Sequence, residues 1–140
     1  MDLRRVRRPL ATWLLAIAAL GCGSDRYIVV GTARAPSTSG YVTVKGTSGS
    51  GVKLNVHMAQ LHPVDSLEPS LHAYVVWFEQ AKAAPVRAGA LLYRPDDRVG
   101  ELEAISPFRK FVVKITAEAN DKPSTPSGFV VATQAISADD

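Results

Sequence analysis

The sequence predicts an all-β fold, an antiparallel Ig-like β-sandwich of about seven to eight strands. Three observations carry that expectation. Short runs rich in Val, Ile, Tyr, Phe and Thr recur at roughly 10-residue spacing from Tyr27 to Ile136. Clusters of Gly, Pro, Ser, Asn and Asp separate them. No stretch carries the 3.6-residue apolar period of a long amphipathic helix.

The chain is organised around Leu71–Gln80 (LHAYVVWFEQ), which has no Gly or Pro and is apolar on both alternating faces. Ala73, Val75 and Trp77 point one way; Tyr74, Val76 and Phe78 point the other. Such a strand is rewarded only in a sheet covered, at least in part, on both sides. Trp77 is expected between the sheets, facing Phe111, Val113 and Ile115, as aromatic anchors do in many sandwiches.

The remaining elements follow in order. Tyr27–Ala33 is the first strand, with Gly31 a bulge candidate. Tyr41–Lys45 is a short second strand, and Gly46–Gly51 reads as a flexible hairpin connection. Val52–Gln60 is the clearest period-2 segment: Val52, Leu54, Val56 and Met58 share one face, Lys53, Asn55 and His57 the other. Leu61–Ser70 is a loop, and Glu79–Ala84 is too short for an independent helix and reads as a hairpin loop. Val86–Arg94 is a strand with Gly89 inside it, Pro95–Arg98 a turn preset by proline, and Val99–Ile105 a weakly alternating strand. Phe108–Glu118 is a strong strand with Phe111, Val113 and Ile115 inward. Asn120–Gly128 turns into the last strand, Phe129–Ile136.

The N-terminus is an address rather than a part of the fold. Arg4, Arg5, Arg7 and Arg8 precede an apolar run, Leu10–Leu20, that is shorter than the ~20 residues a bilayer span needs. The run ends in Ala19-Leu20-Gly21-Cys22, which resembles the lipobox of bacterial lipoproteins, with Ala19 at the usual Leu position. The resemblance implies lipidation of Cys22: a thioether-linked diacylglycerol, cleavage before the cysteine, and acylation (palmitate) of the new amino terminus. Gly23 rather than Asp follows Cys22, which by the enteric sorting rule favours the outer membrane. The expected organisation is a signal peptide at 1–21, a lipidated Cys and tether at 22–26, a sandwich at 27–136 and a frayed tail at 137–140.

Charge narrows the partners. The formal net charge is +3, and the four arginines and Asp2 of the signal segment carry all of it. The mature domain therefore holds equal numbers of basic and acidic residues. That balance argues against a nucleic-acid surface and gives no reason for electrostatic binding to lipid head groups. Cys22 is the only cysteine, so an intrachain disulfide and a cysteine zinc site are both excluded.

From Val52 onward a series of motifs appears in fixed order: Leu61-His62-Pro63, Tyr74-Val75-Val76-Trp77, Ala88-Gly89-Ala90-Leu91, Asp96-Asp97 to Gly100, Val113 to Glu118, then Pro123 and Pro126-Ser127-Gly128. This order resembles the C-terminal extracytoplasmic domain of anti-sigma-K factors. The resemblance implies a β-sandwich that receives signals or protein contacts outside the cytoplasm. A lipobox stands where those proteins have a sigma-binding segment and a membrane helix, so anti-sigma activity is not implied. The family contributes no catalytic residues.

Candidate sites are few. No Gly-x-Ser-x-Gly elbow and no His-Glu-x-x-His occurs, so no enzyme, cofactor or small-molecule substrate is expected. His57, His62 and His72 suggest an alternative function, a periplasmic copper-handling protein. His57 and Met58 are strand neighbours on opposite faces and cannot share a metal site, so no metal is assigned. Asp96, Asp97, Glu101 and Glu103 lack the spacing of a calcium loop. Tyr74 and Phe78 are the candidate partner surface. The expected function is that of a lipid-anchored cell-envelope protein with a non-enzymatic binding, sensing or structural domain. Its expected partners are the membrane, through Cys22, and an unidentified envelope protein.

Overall fold

A computed structural model describes residues 25–49 and 51–138. Residues 1–24, 50, 139 and 140 lie outside the described residues, and with them the expected signal peptide and the lipidation expected at Cys22. The β-branched and aromatic runs become nine described strands: β1 Asp25–Val30, β2 Ser39–Ser48, β3 Gly51–Ala59, β4 Ala73–Glu79, β5 Val86–Ala90, β6 Leu92–Arg94, β7 Val99–Ser106, β8 Lys110–Glu118 and β9 Val130–Ser137. One helical turn, α1 Val64–Leu67, lies between β3 and β4.

Two antiparallel sheets form, in the orders β1-β2-β3-β7-β6 (sheet A) and β5-β4-β8-β9 (sheet B). β2-β3-β7-β6 take the places of A-B-E-D in an immunoglobulin sandwich, and β5-β4-β8-β9 those of C′-C-F-G. β1 is an additional edge strand beside the A position. The inner face of β3 is the predicted one: Val52, Leu54, Val56 and Met58 are fully buried. Phe111, Val113 and Ile115 of β8 face them from sheet B within the same apolar core.

Both lateral edges of the sandwich are closed. On one side Gly31 bridges Ala132, the Thr32 amide donates to Val131 O at 2.8 Å, and the Tyr27 hydroxyl donates to Ser137 O at 2.6 Å. Gly31 is not a bulge within β1. It ends the strand where a Cβ would sit 1.9 Å from the Ala35 carbonyl oxygen, so only glycine fits the bend. On the other side the predicted strand Val86–Arg94 is divided. Its first half pairs with β4 in sheet B and its second half with β7 in sheet A. Leu91 is buried at the crossing, its amide donating to Tyr74 O at 2.8 Å. Gly89, at φ +145°, sits beside the register shift at Val76/Trp77 and lets β5 bend toward that crossing.

Three boundaries differ from expectation. β1 begins at Asp25, two residues before the expected start at Tyr27. β2 continues through a register shift at Val44/Gly46 to Ser48, because Gly46 at φ +139° keeps the ladder going where a loop was expected. At the other end, the Ala138 amide donates to Arg109 O at 2.8 Å, which holds the chain one residue beyond β9, where fraying was expected from 137 on.

β4 is where the sequence expectation is corrected. The inter-sheet face carries Tyr74, Val76 and Phe78, whereas Ala73, Val75 and Trp77 face away from sheet A. Both alternating sets are apolar, so alternation alone could not choose between them. Phe78 meets Phe111 edge-on at 5.2 Å between centroids, which commits that face to the core.

Candidate binding faces

Tyr74 and Phe78, the expected partner surface, are 3% and 1% exposed. They are core residues and present nothing to a partner. Tyr74 packs edge-on to Tyr93 at 5.8 Å. Its hydroxyl donates to His62 O at 2.5 Å and that of Tyr93 donates to Leu61 O at 2.7 Å, pinning the start of the β3–β4 crossover. Burial, reinforced by Tyr93, pushes the Tyr74 phenol far above its ordinary range.

The outer face of sheet B is covered around Trp77, while Thr133 of β9 on the same face stays exposed. Trp77 is 0% exposed although it points away from the core. The segment 119–128 between β8 and β9 folds back as a strap across this face. Arg87, the register partner of Trp77, donates from Nη1 to Pro123 O at 2.6 Å. Trp77 Nε1 donates to Thr116 Oγ1 at 2.9 Å, and Thr116 donates in turn to Glu118 Oε2. The Ser127 amide donates to the same Glu118 oxygen at 2.8 Å, and its hydroxyl to Ala117 O at 2.8 Å. Glu118 is thus buried but hydrogen-bonded, as a buried carboxylate must be. A strand apolar on both faces, with a polar Pro-bearing loop downstream, is the sequence signal for this cover.

The outer face of sheet A is open, and a continuous line of side chains crosses all five strands. The Arg26 guanidinium (β1) lies 4.2 Å above the Tyr41 ring (β2). Tyr41 stacks on His57 (β3) at 4.8 Å and 14°. His57 Nδ1 is 2.8 Å from Glu101 Oε1 (β7). A carboxylate only accepts, so His57 carries a proton on Nδ1. Arg94 (β6) reaches Glu101 Oε2 at 3.2 Å and Asp97 at 3.4 Å. Lys53 and Glu103 form a parallel pair at 3.1 Å. Alternation in each strand put these residues outward. Their pairing needed the register Tyr41↔His57↔Glu101, which sequence reasoning could not supply.

The hydrogen bond from His57, with Arg94 second, holds the Glu101 carboxyl below its usual range. A lowered folded-state pKa contributes stability that is present above the unfolded value and lost as pH falls through the folded one. His57→Ala is expected to move the Glu101 midpoint upward, toward an ordinary glutamate. Carboxyl chemical shifts followed by NMR through acid titration check this; an unmoved midpoint would show that Arg94 alone sets it.

The histidines do not converge. His57 lies on the sheet A ladder, and His62 Nε2 is 3.2 Å from Ser37 Oγ in a loop. His72 is exposed just before β4. Among the described residues no group of three or more His, Cys, Asp or Glu side chains is placed to hold a metal ion, and no helix is long and apolar enough to cross a membrane. Asp96 lies in the β6–β7 turn, while Asp97, Glu101 and Glu103 are taken up in the ion pairs just described.

Comparison of the chain with protein-family models, with curated proteins and with solved structures found no match.

Proposed function

We propose that this chain is a lipid-anchored protein of the bacterial cell envelope whose β-sandwich acts by surface contact rather than by catalysis. The observation that carries the reading is the order of parts at the N-terminus. A basic segment, a short apolar run and the single Cys22 are followed three residues later by the first strand. Acyl chains on Cys22 would anchor it stably, each buried CH₂ contributing about 0.8 kcal/mol. Gly23 after the cysteine supports an outer-membrane location. The open outer face of sheet A is the interaction surface of this reading, since sheet B is covered around Trp77 by its own strap. The motif order shared with anti-sigma-K C-terminal domains supports a binding or sensing role outside the cytoplasm, without a sigma partner.

Cys22→Ser is expected to abolish metabolic labelling with palmitate and to leave the uncleaved precursor. A wild-type protein that takes no label, with fractionation unchanged in the variant, would overturn the lipoprotein reading.

A further inference from the structure

We infer that the outer face of sheet A lies against the phospholipid surface to which Cys22 is anchored, so that the sandwich rests on the membrane on that side. This rests on the lipoprotein reading. Among the described residues, the large apolar side chains left exposed are Ile28, Val30, Val86, Leu92 and Ile105. All but Val86 belong to the outer face of sheet A: Ile28 is opposite Tyr41, Val30 opposite Ser39, Leu92 opposite Glu101 and Ile105 opposite Lys53. They are 58–70% exposed. They are spread over that face from the β1 edge (Ile28, Val30) through β7 (Ile105) to the β6 edge (Leu92), with Tyr41, His57 and Glu101 between the two edges.

The length of the tether says what it meets. Cys22 is three residues from Asp25, and a chain spans at most about 3.6 Å per residue, so β1 starts within about 11 Å of the lipid attachment. β1 is the edge strand of this same sheet, and it carries Ile28 and Val30 on the open face. Packed sheets lie about 10 Å apart, so sheet B is a full layer farther away. Its own cover is the polar segment Asn120–Gly128.

Charge on the open face suits an interface with headgroups. Arg26, Lys45, Lys53 and Arg94 belong to the same sheet as the apolar side chains, Lys53 paired with Glu103 and Arg94 with Glu101 and Asp97. Glu101 and Glu103 are both engaged within the ladder, and Asp25 stands at the start of β1. Long basic side chains keep their charge at the phosphate level while their stems cover apolar surface. With the anchor in place the contact is intramolecular, so individually weak contacts suffice at the high effective concentration of a short tether.

The test uses the full mature protein, purified with its lipid and reconstituted in phosphatidylcholine–phosphatidylglycerol vesicles. Single cysteines replace Ile28, Leu92 and Thr133, the last on the outer face of sheet B, and each is labelled with a thiol-reactive fluorophore. Labels at positions 28 and 92 are expected to be quenched severalfold more by a headgroup-proximal lipid nitroxide than the label at 133, and severalfold less by aqueous iodide. Equal iodide access at all three sites overturns the inference. So does protection that appears only in native envelope fragments, which would assign the face to a protein partner. The unsubstituted protein tests the underlying reading separately: an acylated Cys22 takes no label, whereas a labelled Cys22 removes the anchor and the inference with it.

Discussion

Phe78→Ala is expected to leave the domain close to its unfolding threshold in equilibrium urea unfolding. Phe78 is 1% exposed, lies between the sheets and packs edge-on against Phe111. Truncating a buried Phe costs about 3–5 kcal/mol, from lost transfer energy and an unfilled cavity. The whole stability of a natural domain is about 5–15 kcal/mol. The cavity would open at the centre of a core lined by Phe111, Val113 and Ile115, where rigid strands on both sides cannot close over it. Tyr74→Phe makes a graded comparison. It keeps the ring in the same layer and removes only the hydroxyl bond to His62 O, a net loss of about 0.5–1.5 kcal/mol. A Phe78→Ala midpoint near that of the wild type would mean that β4 presents its other face to sheet A.

Trp77→Ala is expected to cost a comparable ~3–5 kcal/mol, with a different local signature. Trp77 supports the strap rather than the inter-sheet core. Its removal leaves Thr116 without its indole donor and takes away the surface over which 119–128 folds. The Ser127 amide, now bonded to Glu118, should exchange with deuterium about tenfold faster or more, ahead of the β4 and β8 amides. Trp77→Phe should fall between wild type and Trp77→Ala, because it restores most of the bulk and none of the N–H. Urea unfolding followed by circular dichroism gives the stability change. The dichroism signal is needed because Trp77 is the only tryptophan besides Trp13, so its loss removes the sandwich's fluorescence reporter. Unchanged Ser127 exchange in Trp77→Ala would mean that Glu118 and Arg87 hold the strap unaided.

These two variants mark where sequence reading stops. The strands of β3 and β8 are legible with their faces because one side of each alternation is polar: Lys53, Asn55 and His57 in β3, Lys110 and Lys114 in β8. β4 has no polar side, so its strand character is legible and its orientation is not. The immunoglobulin-like precedent of a core tryptophan pointed to Trp77. Shape decided otherwise, with Tyr74, Val76 and Phe78 filling the inter-sheet space while the indole N–H found an acceptor in the Thr116 hydroxyl.

What the sequence determined by itself is local. It set the all-β class, most strand positions, the turn at Pro95–Arg98 and the inner faces of β3 and β8. Each follows from residues within about ten positions of one another, through period-2 burial and turn chemistry. Tertiary structure alone decided the division of Val86–Arg94 between two sheets, the strap over Trp77 and the line from Arg26 to Arg94. The residues concerned are far apart in sequence and meet only through strand register. No single segment records that a neighbouring strand will place Glu101 opposite His57, or that a loop forty residues downstream will cover the far side of β4.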